Sequence, residues 1–473
     1  MTKSLESENL KPPLQATAAR LVGSAIFYSL LALIALVAIP YGTAEPWWKA
    51  LFQCVVFILA GISIIQRLLS INPTRCDRQL LFPILVLISF ALLQTWSWRH
   101  YTIAGVDNIP HTISVDPFQT RLFVSQLFAL LFAGSLLVQH TTTHKRLRRL
   151  VEVISAVGVI SAAFGILRQT AQHGIGFGLP YLVPGFGYGQ FINANHFAFL
   201  MEMALGLVLG IVVCRGVAGK RRAIYLIAAI PMWAALILSN SRAGIFSIFC
   251  QLVFFGLLIS SSRIAKIRSP DRGSLHMAHM VRGLAVPAIL VTTLLGAALI
   301  TVIVVGGNPF INKLSAVSVE LDQKTAQAYT LRLNIWQATW ALIKDHPVTG
   351  VGFGGYWAVI PQYHHGSGEY TPQEAHNDYL ELLASGGLLG VAIGAWFIVA
   401  FFRGARRKVK TADNYNRAVT LGALAGILPV ALHSFVDYGL HITINALVLT
   451  ALISVVVMNT GRENAYPADK TEQ

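Results

Sequence analysis

The fold class predicted by this sequence is all-α: a polytopic membrane helix bundle of about twelve transmembrane helices, with one long loop between spans nine and ten. Three observations predict it. Charged residues are 12% of the 473-residue chain, about half their share in soluble domains. Hydrophobic residues are 55%. They gather into runs near the roughly twenty residues that a helix needs to cross the hydrocarbon layer. The net charge of +15 would otherwise invite a nucleic-acid partner. Here the basic residues stand in short tracts between apolar runs, the pattern of topology signals, and no nucleic acid is expected.

In chain order the runs are 21–39, 47–69, 80–96, 118–138, 150–168, 191–214, 224–238, 243–260, 281–305, 379–402, 418–435 and 440–458. The first is too long, and too weakly marked by a small-residue cleavage site, for a signal peptide and is read as a retained span. Only Ser239, Asn240, Ser241 and Arg242 separate the seventh from the eighth. Between spans nine and ten lies the 306–378 loop, of a length that is functional or disordered elsewhere. Within it, 330–344 reads as a helix, with Leu331, Ile335, Ala338 and Leu342 at helical spacing. Trp336 and Trp340 on a neighbouring face suit the membrane interface. Pro347 and the glycines of 350–355 end this helix. That glycine stretch lacks the strand and helix of a dinucleotide site, although successive backbone N–H groups in such a turn are able to cradle an anion.

With alternating spans, 27 of the 36 Lys and Arg fall on the side of the two termini and 9 on the other. Both termini are therefore expected in the cytoplasm. The chain is read as one integral-membrane domain, 1–473, with an N-terminal tail at 1–20 and a C-terminal tail at 459–473. Its cytoplasmic loops are short and basic, with no room for a nucleotide-binding domain. Cys54 and Cys250 lie in apolar runs, Cys76 and Cys214 beside basic tracts, and no CxxC or CxxH spacing occurs. Neither a disulfide framework nor a zinc site follows.

Polar residues at the outer boundary carry the functional signal, because ionisable groups there are costly unless paired or used. Asn193, Asn195 and His196 open span six, with Glu202 seven residues after Asn195 on the same face; they read either as bundle-packing hydrogen bonds or as the wall of a site. Arg242, in the tight turn before span eight, has no carboxylate near it in sequence. It is either a snorkelling anchor or a planar fork for phosphate oxygens. Arg332 stands four residues before Trp336, in a loop that also carries Lys313, Lys324 and Lys344; these read as a basic lid or, for the lysines, as a solvated face. His364, His365, Glu369, Glu374, His376, Asn377 and Asp378 cluster before span ten. They show no HExxH or comparable ligand spacing, so no metal is expected, and a histidine at a helix entrance suits general-base work. His433, Asp437 and His441 at the last outer turn read as hydrogen bonding between helix ends or as a further wall.

Outer arginines and a histidine suit transfer from a lipid-linked pyrophosphate: arginines hold the leaving group while the histidine takes a proton from an attacking hydroxyl. At this point the chain resembles the O-antigen ligase and O-antigen polymerase superfamily of bacterial envelope glycosyltransferases. The resemblance rests on the order of 191–197 (FINANHF), 241–244 (SRAG), Arg332 followed by 345–354 (DHPVTGVGFG), 376–381 (HNDYLE), 386–390 (GGLLG) and 433–438 (HSFVDY). It implies a twelve-helix enzyme of the inner membrane with its active face in the periplasm, needing neither metal nor cofactor. The implied donor is a glycan on undecaprenyl pyrophosphate. The implied acceptor is the lipid A core in a ligase, or another lipid-linked glycan in a polymerase. By motif, His376, Arg242 and Arg332 are the expected catalytic residues, with Arg242 and Arg332 on the pyrophosphate. Asn195, His196, Asn377 and Asp378 are further substrate-binding candidates, and membrane lipids are the surrounding partners. A transporter of bicarbonate or another solute is the alternative of a different class, although transporters place their binding groups near the midplane.

Overall fold

The computed structural model describes residues 14–68, 78–103, 106–172, 179–184, 186–267, 324–364, 372–411 and 413–458. Eight of its helices are long and apolar enough to cross a membrane. They are α1 (Leu14–Val37), α2 (Pro46–Leu68), α4 (Pro117–His140), α5 (His144–Ala171), α6 (Ala194–Val213), α7 (Gly219–Leu238), α11 (Asp378–Thr411) and α12 (Asn414–His433). Three more, α3 (Arg78–Gln94), α8 (Arg242–Ile267) and α13 (Thr443–Val457), carry apolar stretches of 10–17 residues. The chain is a multi-pass membrane protein. Eleven of the twelve predicted runs thus coincide with helices; the ninth, 281–305, lies outside the described residues, as do Lys313, His365, Glu369 and the C-terminal tail.

Several helices start before their apolar runs because polar caps, rather than hydropathy, fix their ends. Thr143 accepts from the Arg146 amide, so α5 begins with the basic turn that hydropathy assigned to a loop. Asp116 and Pro117 open α4, Asn193 opens α6 and Asp413 opens α12, each cap accepting from an amide two or three residues on. One departure from an all-helical chain is a short antiparallel hairpin, β1 (Arg99–Ile103) with β2 (Val106–His111), in the α3–α4 connection. No long alternating run marked it in the sequence.

Two glycine pairs set the centre of the bundle. A Cβ on Gly206 would stand 2.3 Å from the Gly426 nitrogen, and one on Gly210 would stand 2.1 Å from the Gly422 Cα. The small-xxx-small rows of α6 and α12 therefore bring the two backbones into direct contact, the usual solution where lipid supplies no hydrophobic drive between helices. Of the spanning helices α6 is the most enclosed, with 94% of its apolar window buried. Below the outer end a fully buried pair locks the same two helices, His433 Nδ1 standing 2.7 Å from Glu202 Oε1.

The loop helix α9 (Lys324–Asp345) buries Ile335, Ala338 and Leu342, as its spacing predicts; the side chain of Leu331 is outside the description. Trp336 donates from Nε1 to the Ala375 carbonyl at 3.0 Å, so it tethers two parts of the loop. Trp340 is exposed. A one-turn helix, α10 (Tyr356–Val359), follows, and its Tyr356 hydroxyl meets the Thr339 hydroxyl at 2.6 Å.

The glycine stretch is no anion cradle. Five of its six amides are already used: Val351 donates to Ala384 O, Gly352 to Ser385 O, Gly350 to His346 O, Gly355 to Gly352 O and Phe353 to Gln94 Oε1. Instead it plugs a break in α11. Gly387 has φ +60° within that helix, and a Cβ there would lie 2.3 Å from the Val348 backbone. The amides freed by the break, on Leu388 and Leu389, donate to Pro347 O and Val348 O. Predicted span ten is accordingly two helical pieces with the loop wedged at their joint.

Candidate active site

Asp437, fully buried between α12 and α13, is the point where four distant parts of the chain meet. Its Oδ2 accepts from Asn195 Nδ2 and stands 3.7 Å from Arg332 Nη2. Its Oδ1 accepts from the Tyr438 amide at 2.9 Å and faces His376 Nδ1 at 3.6 Å and His196 Nε2 at 3.9 Å. Burial works against ionising this carboxyl. The His376 imidazole, the charge of His196 and the Tyr438 amide outweigh it and hold Asp437 well below the usual carboxylate range. A permanent anion is thus fixed among two imidazoles and a guanidinium.

Local structure explains how each partner arrives. Asn195 lies in the first turn of α6, capped by Asn193. Loop 179–193 in front of it is gathered by Arg168 at the end of α5, whose guanidinium donates to the carbonyls of Gly189, Val183, Phe186 and Phe191 and, from Nε, to Gln172. All five of its N–H groups find acceptors in these contacts. Arg332 comes from α9 and is half-exposed. His376 sits just before α11 with φ +48°, a left-handed backbone that a non-glycine residue adopts only where its surroundings impose it. Its ring meets the Tyr438 ring edge-on at 4.8 Å, and His196 meets the same ring at 5.0 Å. Tyr438 therefore spaces the two imidazoles, and burial and Asp437 keep its phenol protonated.

Arg242 begins α8 and is exposed. Its neighbour Ser241 donates to Asn195 Oδ1 at 2.7 Å, and Asn195 in turn donates to Asp437, so the tight turn is wired to the hub through two hydrogen bonds. Asn240 takes φ +57° in that turn. Five of the expected residues thus converge: His376, Arg332, Asn195 and His196 on Asp437, and Arg242 beside the serine that reaches it. Asn377 is turned elsewhere. Its Oδ1 accepts from the amides of Tyr379 and Leu380 and caps α11. Asp378 belongs to a second cluster, with its Oδ1 3.8 Å from His441 Nε2.

That second cluster holds His441 between Glu374 at 3.3 Å, Glu381 at 3.4 Å and Asp378. Burial disfavours the charged imidazole, but Glu374 and Glu381 overcome it and push His441 up to about 10. One ligand atom each from Glu374, Glu381 and His441 lie within 4.8 Å of one another, a donor set that also fits a divalent cation. The sequence pointed to His364, His365 and Glu369 as companions of Glu374; His365 and Glu369 lie outside the described residues, and among those the structure brings Glu381 and His441 to Glu374. Asp437 is the residue that sequence reasoning undervalued. Its signals were the spacing of His433, Asp437 and His441, four residues apart, and its place in the 433–438 motif.

Residues 227–395, which include the Arg242 turn, α9 and the His376 entrance to α11, match the family model described as O-Antigen ligase. That match ties this stretch of the chain to the O-antigen ligase and polymerase superfamily. The match supports ligase- or polymerase-type glycan transfer, and with it lipid-linked glycan substrates as a class. It lends no support to a solute transporter. No curated protein matches the chain. Asn195, His196 and Asp437 fall outside the matched residues, so the site is completed from α6 and from the α12–α13 turn.

Proposed function

We propose that the chain is a membrane glycosyltransferase of the O-antigen ligase type, moving a glycan from undecaprenyl pyrophosphate to a sugar hydroxyl on the lipid A core at the periplasmic face of the inner membrane. The observation that carries this reading is the convergence of His376 and Arg332 on Asp437, with Arg242 at the adjoining turn. The Asp437 carboxylate faces Nδ1 of His376 and favours the tautomer with its proton there, leaving Nε2 as the base. In the reaction the acceptor oxygen bonds to the anomeric carbon while the bond from that carbon to the pyrophosphate oxygen breaks. Nε2 takes the hydroxyl proton, and undecaprenyl pyrophosphate leaves against Arg242 and Arg332, whose planar forks match its oxygens. Asn195, His196, Asn377 and Asp378 complete the proposed substrate surroundings, Asn377 through the capped entrance of α11. A repeat-unit polymerase would use the same groups with a second lipid-linked glycan as acceptor.

The test is transfer by the purified chain from a lipid-linked glycan, offered either lipid A core or more donor. His376→Ala is expected to lose about 10²-fold or more in rate while still binding donor, and excess EDTA is expected to leave the wild type active. Transfer by His376→Ala at the wild-type rate would refute the base. Loss with EDTA and recovery with one added metal would make Glu374, Glu381 and His441 a ligand set. Growth of donor on donor, with lipid A core ignored, would establish the polymerase.

A further inference from the structure

At the opposite end of the bundle from Asp437, a cleft of about 410 Å³ opens between α5 and α7. Its rim carries Arg148, Arg221 and Glu152; its wall descends through Ala156, Val159, Ile160, Ile224 and Ala228. The wall faces outward, with Ile160 65% and Ile224 63% exposed. Both lie within helices long and apolar enough to span a membrane, where lipid would cover them. A basic rim above an apolar, lipid-facing slot has the polarity of a phospholipid, head group uppermost.

The charge at the rim is available to a ligand. Glu152, which also lines the cleft, is paired with Arg149 at 2.9 Å. Arg148 lies over the Tyr415 ring at 5.5 Å, which fixes its guanidinium plane, and its buried Nε has no hydrogen-bond partner among the described residues. Arg221 is exposed and makes no ion pair among them. Ala218, which precedes α7, supplies no side-chain cap, and Val217 and Arg221 on either side of this turn line the cleft. Lys220 and Arg222 flank it. An anion seated here would be met by two arginine forks, with no unpaired carboxylate opposing it.

We infer that the α5–α7 cleft binds an anionic phospholipid, its phosphate between Arg148 and Arg221 and an acyl chain along Ala156, Ile160 and Ile224. This site is separate from glycan transfer and stands whether or not the transferase reading does. The test is native mass spectrometry of the full-length chain in detergent, titrated with phosphatidylglycerol or phosphatidylcholine of equal chain length. The wild type is expected to retain phosphatidylglycerol at least about fivefold better. The Arg148→Gln/Arg221→Gln pair should lose that preference, whereas Arg406→Gln, on a basic tract elsewhere, should keep it. Ala156→Trp leaves both arginines in place and fills the slot; it should lower retention of phosphatidylglycerol, and it decides the matter if the double variant does not fold. Equal retention of the two lipids, or undiminished preference in Ala156→Trp, would overturn the site. Full displacement of phosphatidylglycerol by inorganic phosphate would reduce it to a simple anion site and overturn the lipid assignment.

Discussion

Asp437 accepts from two neighbours and faces three cationic or potentially cationic groups, so its charge is the quantity on which the outer site depends. Asp437→Asn keeps the shape and removes that charge. His376 then loses the partner that orders its tautomer, and Arg332 loses its counter-ion. Transfer is expected to fall at least about 10²-fold, with Asp437→Glu recovering part of it; a normal rate in Asp437→Asn would show that the hub is architectural. His441 offers a pH signature. Its folded value of about 10 exceeds the roughly 6.5 of an unfolded chain. The stabilisation from its carboxylate partners is therefore complete below about pH 6.5 and is lost as pH rises through about 10. The melting temperature of the wild type should exceed that of His441→Gln most near pH 6, and the gap should close toward pH 10. A gap that is constant with pH would mean that His441 is neutral in the fold.

The α6–α12 contact makes its own prediction at the level of elements. Ala at Gly210 or Gly422 places a methyl against the facing backbone, so each should lower the melting temperature by overpacking at a cost of about 1–3 kcal/mol. Gly61 has nothing within 4 Å of its missing Cβ, and Gly61→Ala should be neutral or stabilising. Thermal unfolding in detergent separates the three, and an unchanged Gly422→Ala would mean that the helices have room to part. Apolar run length made the spans legible in the sequence, and helical spacing made α9 legible. The break at Gly387 was not, because hydropathy runs unbroken through Gly386, Gly387 and Leu388 and only the docked Val348 backbone reveals it. Gln94 was equally silent. A single amide at the end of α3 donates to Thr349 O and Ser385 O and accepts from the Phe353 amide, closing the loop over residues more than 250 positions away. The site shows the same division. Arg242, Arg332 and His376 stood out as ionisable groups at a boundary, whereas Asp437 acquires its meaning from Asn195, 242 positions earlier.

Across the whole molecule, segments that charge counting assigns to one side do meet at one end. The Ile444 amide reaches Gly42 O, the Val115 amide reaches Val351 O, and Arg332 reaches Asp437. At the other end Arg146 donates to Ser24, His144 stands 3.4 Å from Asp413, and Lys408 reaches the Met458 carbonyl. The bundle thus has a basic end and an end bearing the proposed site, and the excess of Lys and Arg on short loops argues that the basic end is cytoplasmic. Single cysteines decide it, in a background with Cys54, Cys76, Cys214 and Cys250 replaced. Asp345→Cys at the exposed end of α9 and Lys410→Cys near the end of α11 lie on opposite sides of the membrane in this topology. An impermeant maleimide added to intact spheroplasts should label Asp345→Cys and spare Lys410→Cys until the membrane is permeabilised. The reverse pattern would turn the site toward the cytoplasm, away from a periplasmic acceptor. It would defeat the proposed reaction even if every distance around Asp437 were correct, because a transfer site must open on the side where both its lipid-linked substrates present their sugars.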